Sequence, residues 1–335
     1  MSTLSAMLRT LIPQTQRQTA AEVTEALDLG SGDRAGKRSG FLIMLTLAGI
    51  VAIAGVLTDS TATVIGAMII APLGTPILAI ALGIVTGRLD LVVRSVLWVL
   101  LGLALVTTLG LVFSLFVATP ETLETNSQVI GRTSPSFMDL VAALATGFAG
   151  GFAMCRRDLS AVLPGVAIAI SLVPPLGVVG VCAGQGLWAD AVGALWLFLS
   201  NVVALIIAGS IVFTAAGYAR DPGSSLVANR RRAYAIVAVL TAIIAIPLAF
   251  NSVASIALAR WSVAIQNAGT AWLAEEQDAR IYGLQWTGTT ATVTVTTSDG
   301  STPPIDEYSD ALDAVLPSFV GVVVDVGQGV ELRIR

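Results

Sequence analysis

Two stretches of this chain, 99 residues apart, are versions of one apolar segment. The first, TDSTATVIGAMIIAPLGTP, runs from Thr58 to Pro76, and the second, RDLSAVLPGVAIAISLVPP, from Arg157 to Pro175. At that constant offset Asp59 falls on Asp158, Thr61 on Ser160, Ala62 on Ala161, Gly66 on Gly165, Leu73 on Leu172 and Pro76 on Pro175. Each stretch is interrupted by proline near its middle, and each follows a shorter apolar helix. Paired, proline-interrupted hydrophobic segments in the two halves of a membrane protein point to a transporter binding site.

The rest of the chain supports a membrane setting. Of 335 residues, 55% are hydrophobic and 12% charged, with a mean hydropathy of +0.84. Soluble domains carry about 25% charged residues. Residues 1–38 are polar and lack the apolar core of a cleavable signal peptide. There is no histidine, which removes histidine metal sites and histidine general bases. Cys155 and Cys182 sit in or at apolar stretches and read as buried packing residues. The stretch GSGDRAGKRSG, Gly30 to Gly40, has the wrong glycine spacing for a phosphate loop, and no strand precedes it. It reads as a flexible basic linker. Before it, Leu4, Met7, Leu8, Leu11 and Ile12 recur at helical spacing, and a second helix is expected over Ala20 to Leu29.

Apolar segments follow at about 41–58, 61–87, 95–118, 138–155, 159–184, 189–217 and 235–258. A spanning helix needs about 20 apolar residues, so the second and fifth can cross even when broken. With seven spans and the N-terminus inside, 13 of the 18 Lys and Arg residues lie on the inner side, as the positive-inside rule requires. Making the second and fifth segments re-entrant gives 10 against 8, a poorer fit. Three spans per repeat, over 41–118 and 138–217, reverse the second repeat relative to the first. The predicted architecture is therefore an all-α polytopic membrane protein of seven transmembrane helices, with an inverted 3+3 repeat containing two proline-broken helices.

The expected organisation is a cytoplasmic arm (1–38), a transmembrane domain (39–258, with an extra helix at 235–258) and an extracytoplasmic α/β domain (259–335). In the last, Trp261–Ala279 reads as helix. Ile281–Trp286 and Ala291–Thr297 read as strands, Ile305–Leu316 as helix, and Val320–Val326 and Val330–Ile334 as strands.

The two repeat cores, IGAMIIAPLGTPILAIALG (Ile65–Gly83) and AISLVPPLGVVG (Ala169–Gly180), resemble the uncharacterised hydrophobic domain family, domain of unknown function 389, of bacterial and archaeal membrane proteins. The resemblance covers about residues 39–215. It implies a polytopic membrane protein and brings neither a substrate nor catalytic residues.

Prolines within these segments remove backbone donors and leave carbonyls that must meet protein, water or a ligand at membrane depth. The expected binding residues are Pro72, Gly74, Thr75 and Pro76 from the first break, Ser171, Pro174 and Pro175 from the second, and Asn201. Asn201 lies beside Ser200 near the middle of the sixth segment, as interhelical glue or as part of a polar pathway. Asp59 and Asp158 each precede a helix opened by Ser or Thr and read as caps. Gly147, Gly150 and Gly151 read as packing residues, and Arg88, Arg94, Arg156 and Arg157 as markers of the inner surface.

The function expected is a secondary transporter or facilitator of a small solute or ion, binding where the broken helices cross. A channel is the first alternative, and a scaffold or sensor working through the outer domain the second. No catalytic pair, cofactor or metal site is expected. The expected partners are a small solute or ion, the lipid bilayer of the cell membrane and a second copy of the chain, but not nucleic acid.

Overall fold

The first apolar segment folds as one uninterrupted helix and the second as two. In the computed structural model, residues 13, 15–133, 137–159, 172–220, 257–273, 279–287, 290–297 and 304–328 are described. They fall into two units, Met1–Ala249 and Phe250–Arg335. The first unit opens with α1 (Ala20–Leu27). The motif Thr19-x-x-Glu22 is a complete capping box: Glu22 N–H donates to Thr19 Oγ1 at 3.2 Å, and Thr19 N–H donates to Glu22 Oε2 at 2.7 Å. Next comes α2 (Arg34–Leu57), capped by Asp33, whose carboxylate accepts from Gly36 N–H. The expected linker over Gly30–Gly40 is thus corrected. Only its first residues form a turn, because Asp33 starts the helix seven residues early.

The segment 61–87 forms α3 (Thr61–Ile70) and α4 (Gly74–Thr86), bent by 49°. Ser60 caps α3, and Gly87 ends α4 at a φ of 72°, the left-handed conformation that glycine adopts most easily. Then follow α5 (Leu89–Ser114), two short helices α6 (Glu121–Glu124) and α7 (Ser127–Thr133), and α8 (Phe137–Cys155). The unit continues with α9 (Val173–Gly184), α10 (Trp188–Ala215) and a 3-10 turn, Tyr218–Arg220. The leading half of the fifth segment and the seventh segment, 235–258, lie outside the described residues.

Among the described residues, α2, α5, α8 and α10 are long and apolar enough to cross a membrane, and the bent pair α3–α4 makes a fifth candidate span. Their outward faces carry apolar side chains: Leu97, Leu100 and Leu101 of α5 are each more than two-fifths exposed. Such a surface suits a lipid environment, and these helices are compatible with a multi-pass membrane protein.

Helix directions follow from contacts at the helix ends. With 24 residues, α2 is about 36 Å long, enough to join the two faces of a hydrocarbon layer about 30 Å thick. Its start follows α1, and its end meets the segment before α7 through the hydrogen bond from Asn126 Nδ2 to Val56 O (2.8 Å). By contrast, α8 leaves α7 and ends where Cys155 O accepts from Gln18 N–H (2.9 Å), beside α1. The two helices run in opposite directions. The same holds for α5 and α10. Arg94 near the start of α5 pairs with Asp28 after α1. At the start of α10, Gly193 abuts the Thr133 carbonyl that closes α7, and the 3-10 turn after α10 returns to the α1 side through Tyr218 O–H to Gln18 O (2.9 Å).

The second unit is a small α/β fold. Residues 257–272 are helical. Strands β1 (Arg280–Thr287) and β2 (Thr290–Thr297) pair antiparallel, and α11 (Ile305–Asp313) crosses over to β3 (Gly321–Gln328), parallel to β2. Alternation in β2 buries Ala291, Val293 and Val295 against Ile265, Trp272, Tyr308 and Leu312, while Thr290, Thr292, Thr294 and Thr296 take the other face. Trp272 and Tyr308 stack with ring centroids 4.9 Å apart. The strand expected at 330–334 lies outside the described residues.

Candidate functional site

The first break is built by Ala71, Pro72 and Leu73. Ala71 leaves helical geometry at ψ 125°, which fits the residue before a proline. Thr75 N–H closes a turn onto Pro72 O at 3.2 Å. Gly74, Thr75 and Pro76 are the first three residues of α4. Pro76 therefore occupies a first-turn position whose N–H would have no intrahelical partner, and it starts the helix without disrupting it. Pro174 and Pro175 hold the second and third positions of α9 in the same way. At the first site this matches the expected proline-broken helix, while the leading half of the fifth segment lies outside the described residues. Neither α4 nor α9 has a side-chain cap, whereas α1, α2 and α3 are capped by Thr19, Asp33 and Ser60.

Gly74, Pro76, Pro174 and Pro175 are buried, and Pro72 and Thr75 are half-buried. Ser171 lies outside the described residues. Asn201 is buried in the middle of α10, next to Ser200, whose hydroxyl donates to Leu197 O. The starts of both half-helices feed one core: Leu73 and Ile77 belong to the same buried cluster as Leu172, Val173 and Leu176.

Around the breaks the packing is reciprocal. A Cβ placed on Gly110 of α5 would lie 2.6 Å from Gly177 O and 2.8 Å from Gly180 Cα of α9. A Cβ on Gly209 of α10 would lie 2.9 Å from Leu78 Cδ2 and 3.1 Å from Ala81 Cβ of α4. At the 99-residue offset Gly110 becomes Gly209, Leu78 becomes Gly177 and Ala81 becomes Gly180. Within each half the match recurs. Gly49 of α2 meets Val106 and Leu109, and Gly147 of α8, one residue short of the offset, meets Leu205 and Ala208, their counterparts at 99 residues. Gly147 and Gly151 thus act as the packing residues expected of them.

Each end of the layer carries a polar clasp. At one end, the residues leading into α1 pair antiparallel with the turn after α8. Gln18 N–H donates to Cys155 O (2.9 Å), Arg157 N–H donates to Gln16 O (2.8 Å), and Arg157 Nη2 meets Glu22 Oε1 (2.7 Å). Arg156 grips Asp158 through Nε (3.0 Å) and Nη2 (2.7 Å). Buried Val23, Leu27 and Leu29 anchor this arm in the main core. At the other end, Asn126 bonds Val56 O, and its Oδ1 accepts from the N–H groups of Gln128 and Val129, capping α7. Asp59 accepts from Ser127 Oγ (2.6 Å) and Gln128 N–H (3.2 Å), and Gln128 Nε2 reaches Thr61 Oγ1 (2.8 Å). The carbonyls held by the two clasps, Val56 and Cys155, are again 99 residues apart.

These contacts correct the reading of Asp59. Ser60 caps the helix that follows it, while Asp59 sits at φ 49° and serves the start of α7. The helix expected after Asp158 lies outside the described residues. Arg88, Arg94, Arg156 and Arg157 all lie at the α1 end, and the latter two also hold the clasp. The sequence reading missed both clasps. The Thr19–Glu22 box was a legible signal for one; the partners at positions 126–128 were not marked locally.

The clasp carboxylates sit below their ordinary range. Glu22 is lowered by the Thr19 backbone N–H and then by Arg157, Asp59 mainly by the Ser127 hydroxyl, and Asp158 mainly by Arg156. A carboxyl lowered by folding contributes stability above its unfolded value, and that contribution is lost as pH falls through its folded value. Thermal midpoints of the purified protein should therefore hold from neutral pH down to the ordinary carboxylate range and fall below it. Asp59→Asn should flatten that fall, and an unchanged acid limb would argue against this role.

Residues 68–207 match the family described as Domain of unknown function (DUF389). This part of the chain is similar to that family. The DUF389 region opens inside α3, contains both proline-led half-helices and ends within α10, narrower than the span of about 39–215 read from the sequence. A relative, an uncharacterized protein of Methanocaldococcus jannaschii, is 35% identical over 176 residues, covering 52% of this chain and 54% of that protein. The chain thus spans about half the length of the curated relative it matches. No solved structure matches it.

Proposed function

We propose that this protein is a secondary transporter or facilitator of a small solute or ion, built as an inverted 3+3 repeat with its binding site between the starts of α4 and α9. The carrying observation is the reciprocity of the contacts. When residue i of one half meets residue j of the other, and their equivalents meet in exchange, the halves are related by a two-fold axis. Gly110 with Gly177 and Gly180, against Gly209 with Leu78 and Ala81, follows that rule. Because α2 and α8 run in opposite directions, as do α5 and α10, the axis lies in the membrane plane. That is the arrangement in which transporters bind substrate at half-helix ends near the midplane.

The binding groups in this reading are the uncapped starts of α4 and α9, the carbonyls released at the breaks beside Pro72, Gly74, Pro76, Pro174 and Pro175, and the hydroxyls of Thr75 and Ser171. Asn201 joins them by the repeat. Its counterpart Gly102 faces Leu73, the residue before α4; the equivalent residue before α9 is Leu172, and this reading pairs Asn201 with it by the repeat. The bent pair α3–α4 starts at the α7 end and finishes at the α1 end, which favours a crossing over a re-entrant hairpin. With the arginine-rich α1 end in the cytoplasm and a seventh span at 235–258, the C-terminal α/β domain lies outside the cell membrane.

Vesicles carrying the purified protein should take up one or more members of a panel of small ions and solutes with saturation, and Gly74→Leu should abolish that uptake. Linear, non-saturating flux would favour a channel. Absence of flux for the whole panel would favour a scaffold or sensor. In intact cells, external protease should remove residues 260–335 and spare the basic stretch 218–234; the reverse pattern would invert the topology.

A further inference from the structure

We propose that the two clasps are the gates of one pathway, opening one at a time: the arm around residues 16–22 closes the α1 end, and residues 126–128 with Asp59 close the α7 end. The proposal rests on the transport reading for its pathway but not for its geometry. Each clasp crosses the boundary between the two halves. The segment leading into the first half grips the α8 turn of the second half, and the segment leading into the second half grips the α2–α3 turn of the first. Both grip the same register, at Val56 O and Cys155 O. Two bodies that rock about an axis near their middle separate at one end as they close at the other. Breaking one clasp therefore permits opening at its own end and leaves the other intact.

Part of each clasp suits a gate more than a permanent seam. Beside buried bonds such as Asn126 to Val56 O, each clasp has an exposed polar contact: Glu22 and Arg157 are each about half exposed (45% and 54%), and the Asp59–Ser127 bond is exposed. Exposed ion pairs and hydrogen bonds are individually weak, so water can replace them when the end opens. The arm keeps a separate, buried anchor through Val23, Leu27 and Asp28. It can therefore release the α8 turn without leaving the protein.

The test uses the full chain in sealed vesicles with a single introduced cysteine at Thr75 and a membrane-impermeant maleimide. Ser31→Cys and Glu124→Cys, at the two ends, identify which face the reagent reaches. Adding Glu22→Ala and Arg157→Ala should raise labelling of Thr75→Cys from the α1 face by roughly threefold to tenfold, the scale of losing exposed pairs from an opening equilibrium, with no rise from the α7 face. Asp59→Asn with Ser127→Ala should give the mirror result. If a double variant is not monodisperse, Glu22→Gln or Ser127→Ala alone serves, with the same sidedness. Labelling that rises equally from both faces, or from neither in folded variants, overturns the gates. Sided labelling without solute uptake would instead count against the transport reading and leave the gates standing.

Discussion

Replacing Gly180 with leucine should destabilise the fold strongly. The α5–α9 crossing brings backbone against backbone. A Cβ at Gly180 would meet the Thr107 carbonyl oxygen, and would lie 2.7 Å from Gly110 Cα and 2.8 Å from Leu111 N. Side chains can rotate away from such an intrusion, but hydrogen-bonded helix backbones cannot. Overpacking in a close-packed interior costs about 1–3 kcal/mol when neighbours can shift. Here the cost should reach about 3 kcal/mol or more, a large share of a stability of roughly 5–15 kcal/mol. A change on the reciprocal crossing, Gly209→Ala, should cost less, because its nearest contacts are the side chains of Leu78 and Ala81. Gly40→Leu, with no atom of the described residues within 4 Å of the added Cβ, should be neutral. Thermal midpoints in detergent would rank the three, and a Gly180→Leu protein as stable as the parent would refute the crossing.

Arg94→Ala should produce the largest loss among the surface arginines. Its guanidinium lies 3.2 Å from the Asp28 carboxylate, whose side chain is only 4% exposed. The carboxylate also accepts from Gly30 N–H at 2.7 Å. Removing one partner of a buried pair costs about 3–5 kcal/mol because a charge is left without compensation. Arg94 is one-third exposed, so water recovers part of that, and about 2–3 kcal/mol is expected. Arg88 pairs with Asp90, which is 62% exposed, and Arg88→Ala should cost less than about 1 kcal/mol. The double variant Arg94→Ala/Asp28→Ala should recover much of the single loss. Equal effects at Arg88 and Arg94, or an additive double variant, would show that Asp28 is not held as the geometry indicates.

Arg94 also separates two roles that charge counting merges. By number it marks a membrane face, since arginines gather at the α1 end. By geometry it fastens the arm to α5. The same division runs through the molecule. Apolar length located α8 and α10 to within two residues and α2 and α5 to within seven, because burial in lipid requires a continuous run of apolar side chains whatever the neighbours are. Proline positions located the break after Ile70, because a residue before proline leaves helical geometry on local sterics alone. Alternation marked β2, since one face of the sheet is buried and the other wet.

The clasps were beyond local reading. Asp59 sits before a helix, as a cap does, yet it bonds Ser127, 68 residues away. Asn126 bonds Val56 O, 70 residues away. Nothing near either residue encodes its partner. Likewise residues 1–38 read as a polar cytoplasmic arm, its helix over Ala20 to Leu29 included. Only folding reveals that Val23, Leu27 and Leu29 are buried in the main core. The sequence alone determined that this chain enters a membrane, that it repeats itself at an offset of 99 residues, and where its second segment breaks. Each of those is set by chain-local burial and sterics. Which half grips which, at which carbonyl, and in which direction its helices run was decided by tertiary structure, because those choices depend on hydrogen bonds and backbone contacts between residues far apart in the chain.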